Sequence, residues 1–439
     1  MSLEPPAKVG KLQTALHAKA KAAPSYRFYL LYDKVYRNDV LAHAYERCRT
    51  NHGAAGVDDQ TFADIEAYGV DRWLGDLAKE LQEQTYRASP VKRVWIPKPD
   101  GKQRPLGIPT IRDRVVQMAA VLVLEPIFEA DLPSEQHAYR PGKSALDAIQ
   151  KVQELVEAGY TDVVDADLSG YFDSIPHTEL MKSVARRVSD RHLLHLIKMW
   201  LEAPVEECDE HGRKQRTTRN KDEGRGTPQG AVVSPLLSNL YMRRFILGWK
   251  QLGHEARLQA YIVNYADDFV ICTRGYADEA MAAMQGMMSR LRLTVNEQKT
   301  RRCQLPEDTF TFLGYTFGRH YSHRTGGAYI GPRPAVKKIR KLCREISEWT
   351  DRRMCLRDAE DEVRTLNQKL NGWANYFCLG PVVRAYDIVM KHTRRRLRRW
   401  LCKKHNVRHG KIARFPNEYL HDQLGLVQLG AKQHRQLWA

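Results

Sequence analysis

No two of the eight cysteines form a Cys-x-x-Cys pair. That excludes the zinc ribbons and fingers found in many nucleic-acid proteins. Cys402, His405 and His409 have metal-like spacing but no second cysteine. No secretory leader is read at the N-terminus, so the thiols are expected to be reduced and cytosolic. No apolar run is long enough to span a bilayer: the longest lies near Val115 to Leu124 and is flanked by charge. Internal repeats and low-complexity tracts are missing, which excludes a solenoid or a linker-rich chain. Acids are scarce at one end. From Pro332 to Ala439 there are 25 Lys/Arg and only 10 Asp/Glu, a net of +15. The first 331 residues carry 45 and 42, a net of +3.

What is present is a chain of 439 residues, 43% apolar, long enough for two or three domains with real cores. A nearly neutral body joined to a strongly basic last quarter points to a nucleic-acid enzyme. The plainer reading is a cationic surface for solubility, which needs far less charge. Lys8, Lys11, Lys19 and Lys21 weakly suggest a transit peptide. A basic helix that contacts nucleic acid is the better reading.

Apolar spacing predicts helix over 11–50, 70–84, 112–128, 178–200, 234–249 and 278–293. Ser144 followed by Asp147 predicts a capped helix through Glu157. Val91–Pro97 and Gln103–Pro109 read as a basic hairpin around Pro99-Asp100-Gly101. Val163–Leu168 reads as a strand, 208–226 as a surface hairpin or loop, and Thr309–Phe317 as further strands. The methionines of 278–293 read as core. Gly331-Pro-Arg-Pro334 reads as a boundary, followed by helices over 335–349, 358–376 and 382–404.

The chemistry centres on Tyr261-Ile-Val-Asn-Tyr-Ala-Asp-Asp-Phe-Val-Ile-Cys272. Two short apolar runs flank Asp267 and Asp268, which places the pair on a tight hairpin turn. Such close like charges repel. A divalent cation removes the objection, and carboxylates suit Mg²⁺. A third ligand is expected from a separate strand. Asp167, at the end of the 163–168 strand, is the candidate, with Asp165 on the same face as a supporting group; a charged strand edge is the plain alternative. Gly142-Lys-Ser144 looks like the end of a phosphate loop, but the glycine required at position 137 is His137.

Asp167 with Phe172, Gly226-Thr-Pro-Gln-Gly230, Tyr265-Ala-Asp-Asp268, Leu293-Thr-Val-Asn-Glu-Gln-Lys-Thr300 and Phe312-Leu-Gly-Tyr315 occur in this order. The series resembles the successive motifs of reverse transcriptases. Ile96-Pro-Lys-Pro-Asp-Gly-Lys-Gln-Arg-Pro-Leu-Gly-Ile-Pro109 and Tyr139-Arg-Pro-Gly-Lys-Ser144 resemble finger motifs of the group II intron-encoded branch. Leu366-Asn-Gln-Lys-Leu-Asn-Gly-Trp-Ala-Asn-Tyr-Phe377 resembles that branch's maturase signature.

The resemblance implies an α+β right-hand polymerase fold: fingers and an antiparallel-sheet palm, then a helical thumb/maturase X domain. The expected segments are 1–60 (helical extension), 61–330 (fingers and palm), 331–405 (basic thumb/X domain) and 406–439 (tail). It implies RNA-templated DNA synthesis with two Mg²⁺ ions, Mn²⁺ being a possible substitute. Asp167 and Asp267 would bind the metals, Asp268 would complete the charge and Lys299 would protonate the leaving pyrophosphate. Lys98 and Arg104 would clamp the dNTP triphosphate. Gln229 would pack on the nucleotide, Phe172 would block a ribose 2′-hydroxyl, and Leu313-Gly314-Tyr315 would grip the primer.

Implied partners are structured intron RNA or an RNA template, a DNA primer or target, and dNTPs, with no membrane. The implied location is a prokaryotic cytoplasm, within an RNA–protein particle. In the basic quarter, Leu397, Trp400 and Leu401 form one helical stripe, which leaves cations to face RNA. Leu366, Leu370, Trp373 and Phe377 read as core. The paired cysteines of an H-N-H endonuclease are missing, so a short form that takes its primer from elsewhere is expected. Two alternatives stand beside polymerisation: a splicing cofactor that mainly holds intron RNA, and a related enzyme co-opted to a host system such as defence.

Overall fold

The computed structural model describes residues 3–97, 101, 103–209, 213–321, 326–408 and 411–430. The strands, in chain order, are β1 (Val91–Pro97), β2 (Gln103–Ile108), β3 (Asp162–Asp167), β4 (Val205–Cys208), β5 (Lys214–Thr217) and β6 (Tyr261–Tyr265). They continue as β7 (Asp268–Thr273), β8 (Arg301–Gln304), β9 (Phe310–Phe312), β10 (Tyr315–Tyr321) and β11 (Ala328–Pro334). The longer helices are α1 (Ala7–Ala22), α2 (Asn38–Thr50), α3 (Val70–Gln82), α4 (Ile111–Glu129), α5 (Ala145–Glu157) and α6 (His177–Ala185). After these come α7 (Arg191–Leu201), α8 (Ser234–Gln251), α9 (Ala277–Arg290), α10 (Val336–Trp349), α11 (Ala359–Tyr376) and α12 (Val383–Lys404).

Two compact units divide the chain. The first comprises Met1–Lys143, Ala166–Phe269 and Asp278–Thr300. Its centre is α4, buried around almost its whole circumference as its unbroken apolar run requires. Helices α1 and α2 pack on it. The predicted helix over 11–50 is interrupted: α1 stops before Pro24, and α2 starts only at Asn38. Proline lacks the N–H to continue a helix and pushes the residue before it toward extended backbone.

The predicted helix over 178–200 is likewise two helices, α6 and α7. Asp190 makes the break. Its carboxylate caps α7 by accepting from the His192 and Leu193 amides, and its other oxygen accepts from Leu31 and Tyr32. A short carboxylate is worth more at such a cap than inside a helix.

One sheet of this unit has the order β2-β1-β4-β5. Strands β1 and β2 pair antiparallel from Lys92↔Ile108 to Pro97↔Gln103, which is the predicted hairpin. The β4–β5 hairpin joins β1 in parallel at Val91↔Val205. This unit also holds β6, the hairpin turn after it and the end of β3.

The second unit comprises Ser144–Asp165, Val270–Ala277 and Arg301–Ala439. Ser144 and Asp147 form the predicted capping box at the start of α5. The first four residues of β3 pair antiparallel with β8, from Asp162↔Gln304 to Asp165↔Arg301. Strands β11, β10 and β9 form a further sheet. The stretch Gly331–Pro334, expected as a boundary, is therefore strand. It lies at a sheet edge, where prolines are tolerated.

Helices α10, α11 and α12 share one core of Ile339, Leu342, Ile346, Leu366, Leu370, Leu397, Trp400 and Leu401. Truncating any one of these leucines to Ala would cost about 2–5 kcal/mol. Trp373, expected in the core, is only half-buried and packs on Phe377 with ring centroids 4.9 Å apart. Among the described residues no helix is long and apolar enough to cross a membrane.

Candidate active site

The turn between β6 and β7 is Ala266-Asp267, a two-residue hairpin connection. Ala266 sits at φ 58°, a left-handed conformation that costs an L-residue about 1–2 kcal/mol. The buried Asn264 amide compensates by donating to the Ala266 carbonyl at 2.8 Å. This turn leaves Asp267 half-buried and Asp268 exposed.

Asp167 closes β3. The segment after α9 folds along that strand end: the Asn296 amide donates to the Asp167 carbonyl at 2.8 Å, and Leu168 bridges Val295. Two side chains converge on one Asp167 oxygen, Asn296 Nδ2 and Lys299 Nζ, each at 3.0 Å. Asp165, expected to support the site, pairs instead with Arg301 at 3.5 Å.

Burial, and next the charge of Asp167, push the Asp267 carboxyl above its ordinary pKa, while its own backbone amide, Arg104 and Lys299 oppose the shift. Asp267 and Asp167 are thus close enough to repel. Tyr139 belongs to the same field: partial burial, then Asp267, Tyr265 and Asp268, raise its phenol. Among the described residues no three His, Cys, Asp or Glu side chains already form a ligand cluster. Nonetheless, a half-buried carboxyl raised by desolvation and by a second carboxylate has the chemistry of a cation site.

Phe172 follows Gly170, which turns the chain at φ 56° into the short helix Tyr171–Ser174. Its ring is 8% exposed and lies edge-on to Tyr171 at 5.7 Å. Its carbonyl accepts from the Thr227 amide at 2.7 Å, which ties it to the Gly226–Gly230 loop. That loop presses on β2, where the Gly107 amide donates to the Gln229 carbonyl at 2.6 Å. Gly230 has φ 107°, and a Cβ there would stand 2.5 Å from the Gly107 carbonyl oxygen. Only a residue without a Cβ allows the loop to lie this close to β2.

The Gln229 side chain is held at both ends. Its Oε1 accepts from Arg104 Nε at 3.0 Å, and its Nε2 donates to Asp173 Oδ2 at 2.9 Å. One amide so ties the finger hairpin to the turn after β3. Lys98 lies outside the described residues. Asn296 and Tyr139 stand inside the motifs named above and Asp173 directly follows Phe172, but their residue types gave none of the three a part. The one local sign was that Asn296 and Asp173 lie within a few residues of Lys299 and Phe172.

In the second unit the Leu313-Gly314 turn joins β9 to β10, with φ of 49° and 85°, and Phe312 faces Tyr315. Tyr376 of α11 donates its hydroxyl to the Leu313 carbonyl at 2.7 Å. On α12, Arg396 and Arg398 turn inward and donate to the Ser347 and Phe415 carbonyls. Lys391, Arg395, Arg399 and Lys403, spaced four apart, are all exposed. They form one cationic stripe along the helix.

A family model for reverse transcriptase (RNA-dependent DNA polymerase) matches residues 96–317, about half of the chain. The chain belongs to the reverse transcriptase family. The group II intron maturase-specific domain matches 339–415. Protein YkfC of Escherichia coli (strain K12) is 32% identical over 355 residues, covering 72% of this chain and 89% of the relative. Group II intron-encoded protein LtrA of Lactococcus lactis subsp. cremoris is 24% identical over 438 residues, covering 80% and 71%. Nuclear intron maturase 2, mitochondrial, of Arabidopsis thaliana is 33% identical over 111 residues, or 25% of this chain and 15% of the relative.

The protein is thus a group II intron-type reverse transcriptase, an RNA-directed DNA polymerase with a maturase domain, and its mixed helices and antiparallel strands are the right-hand polymerase fold. Divalent metal ions and nucleic-acid partners come with that family.

Proposed function

We propose that Asp167 and Asp267 hold the divalent cations of DNA synthesis, with Asp268 completing the negative charge, and that the ions are two Mg²⁺ for which Mn²⁺ substitutes. The observation that carries this is the half-buried Asp267 carboxyl, raised by burial and by Asp167. When bound, such ions neutralise phosphate charge and ease deprotonation of a primer 3′-hydroxyl.

The chain's own residues position and discriminate, which is most of what phosphoryl transfer requires. Arg104, with Lys98, clamps the triphosphate of the incoming dNTP; a guanidinium fork suits phosphate oxygens. Gln229, fixed between Arg104 and Asp173, packs against the nucleotide. Phe172 forms the wall that excludes a ribose 2′-hydroxyl. Lys299, held at Asp167, donates a proton toward the leaving pyrophosphate. Leu313-Gly314-Tyr315 grips the primer end.

The template is structured RNA, and the exposed stripe on α12 supports a further role in holding intron RNA for splicing and retrohoming. We keep the division into 1–60, 61–330, 331–405 and 406–439 as extension, fingers and palm, thumb/X domain and tail, and place the protein in a prokaryotic cytoplasm with its RNA.

Primer extension tests the reading. Purified protein should extend a DNA primer on an RNA template with dNTPs and Mg²⁺, and Asp267→Ala should abolish it. Persistent extension by that variant would sink the assignment. A splicing assay on the same variant separates the two roles, because splicing that survives belongs to RNA binding alone.

A further inference from the structure

A cavity of about 520 Å³ in the first unit shares no residue with the polymerase centre. Arg27, Lys182, Arg186, Arg243 and Arg244 line it, and Asp131 is the one carboxylate among its described lining residues. The arginines come from distant parts of the chain and are set in place by fixed acceptors. Arg243 Nε donates to the Asp131 carbonyl at 2.9 Å, and Arg27 Nε to the Ala185 carbonyl at 3.0 Å. Arg244 reaches the Glu179 carbonyl at 3.2 Å and Ser183 Oγ at 3.4 Å.

The Asp131 carboxylate is already shared. One of its oxygens lies 2.6 Å from Arg186 and 3.2 Å from the fully buried Arg187. The remaining cations exceed what it can neutralise. Burial, and then the charge of Arg186, bring Arg243 down to about 10, with Asp131 opposing. Carbonyl capping alone does not account for this excess, because a carbonyl carries no compensating charge. Each guanidinium has five N–H donors, and among the described residues Arg243 donates from its Nε. A concave site lined by several pre-positioned guanidinium groups is built for a multi-oxygen anion.

We propose that this cavity is a phosphate-binding site, distinct from the polymerase centre, that receives a phosphate of the bound RNA. A free phosphate compound offers the same chemistry, and the test tells the two sources apart. The RNA source rests on the RNA-binding reading above; the free-anion measurement does not.

The full-length protein is compared with the Arg243→Gln/Arg244→Gln double variant, with Arg243→Lys/Arg244→Lys, and with Lys182→Gln. Lys182 serves as the second variant because, among the described residues, its side chain makes one long ion pair, 3.8 Å to Glu179, so its loss spares the fold. Binding of a labelled hairpin RNA is measured across salt concentrations. Melting is measured in sodium phosphate and in pyrophosphate, against sodium chloride of equal ionic strength. The glutamine pair should flatten the salt slope of RNA binding by about 0.7–0.9, the share of one phosphate contact, Lys182→Gln by less, and the lysine pair should restore it. If instead only the stabilisation by phosphate or pyrophosphate is lost in the variants, the ligand is a free phosphate compound. An unchanged salt slope together with equal anion stabilisation in wild type and Lys182→Gln overturns the site.

Discussion

Asp267 and the stripe Lys391, Arg395, Arg399 and Lys403 hold their charges under opposite conditions. The carboxyl is half-buried, beside a like charge, and its ionisation is opposed. The four cations are exposed and spread along one face of α12, while Arg396 and Arg398 of the same helix are turned inward onto carbonyls. A buried charge acts strongly over a few ångströms, whereas an exposed one is screened within about 10 Å at moderate salt. The first arrangement suits small ions and phosphoryl transfer at one point. The second suits a long polyanion that must bind without being locked.

The largest test of that contrast is Asp267→Ala. Primer extension should fall by about a thousandfold or more while affinity for a labelled RNA stays within about twofold. A comparable loss in both measurements would break the contrast. Replacing Arg395, Arg399 and Lys403 together by glutamine should do the reverse. The plot of log affinity against log salt should flatten by about two units, since each lost phosphate contact on single strands is worth about 0.7.

Gly230→Ala probes the scaffold rather than the charge. Its positive φ and the nearby Gly107 carbonyl predict a loss of about 2–3 kcal/mol, read from urea unfolding. Asp173→Asn should raise KM for dNTP by about two- to tenfold with kcat nearly unchanged, because it weakens one hydrogen bond to Gln229. Equal changes in kcat and KM would make Asp173 structural only. The smallest effect is expected for Ala266→Gly. Relief of the left-handed strain should stabilise the protein by about 1 kcal/mol or less, detectable as a small rise in Tm.

How much of this was legible depends on how local each feature is. The acidic hairpin, the strand ending at Asp167, the capping box at Ser144 and the last three helices were all readable, because period, caps and turns act within a few residues. The breaks near Pro24 and at Asp190 were missed although their residues are informative. Apolar spacing continues across both, and the tie from Asp190 to Leu31 and Tyr32 is long-range. Gly331–Pro334 is a strand that local pattern did not announce, because proline signals a loop until a sheet edge accommodates it.

The sequence by itself determined that an acidic turn, a basic hairpin and a basic last quarter sit in one chain of the reverse transcriptase family, because the motifs are short and ordered along the chain. Only the tertiary structure decided that Asn296 and Lys299 meet at Asp167 and that Gln229 bridges Arg104 and Asp173. It alone separated the inward arginines of α12 from the outward ones and gathered Arg27, Arg186, Arg243 and Arg244 around one cavity. Charge and burial are set by neighbours that lie tens to hundreds of residues away in the chain, and no local pattern carries that distance.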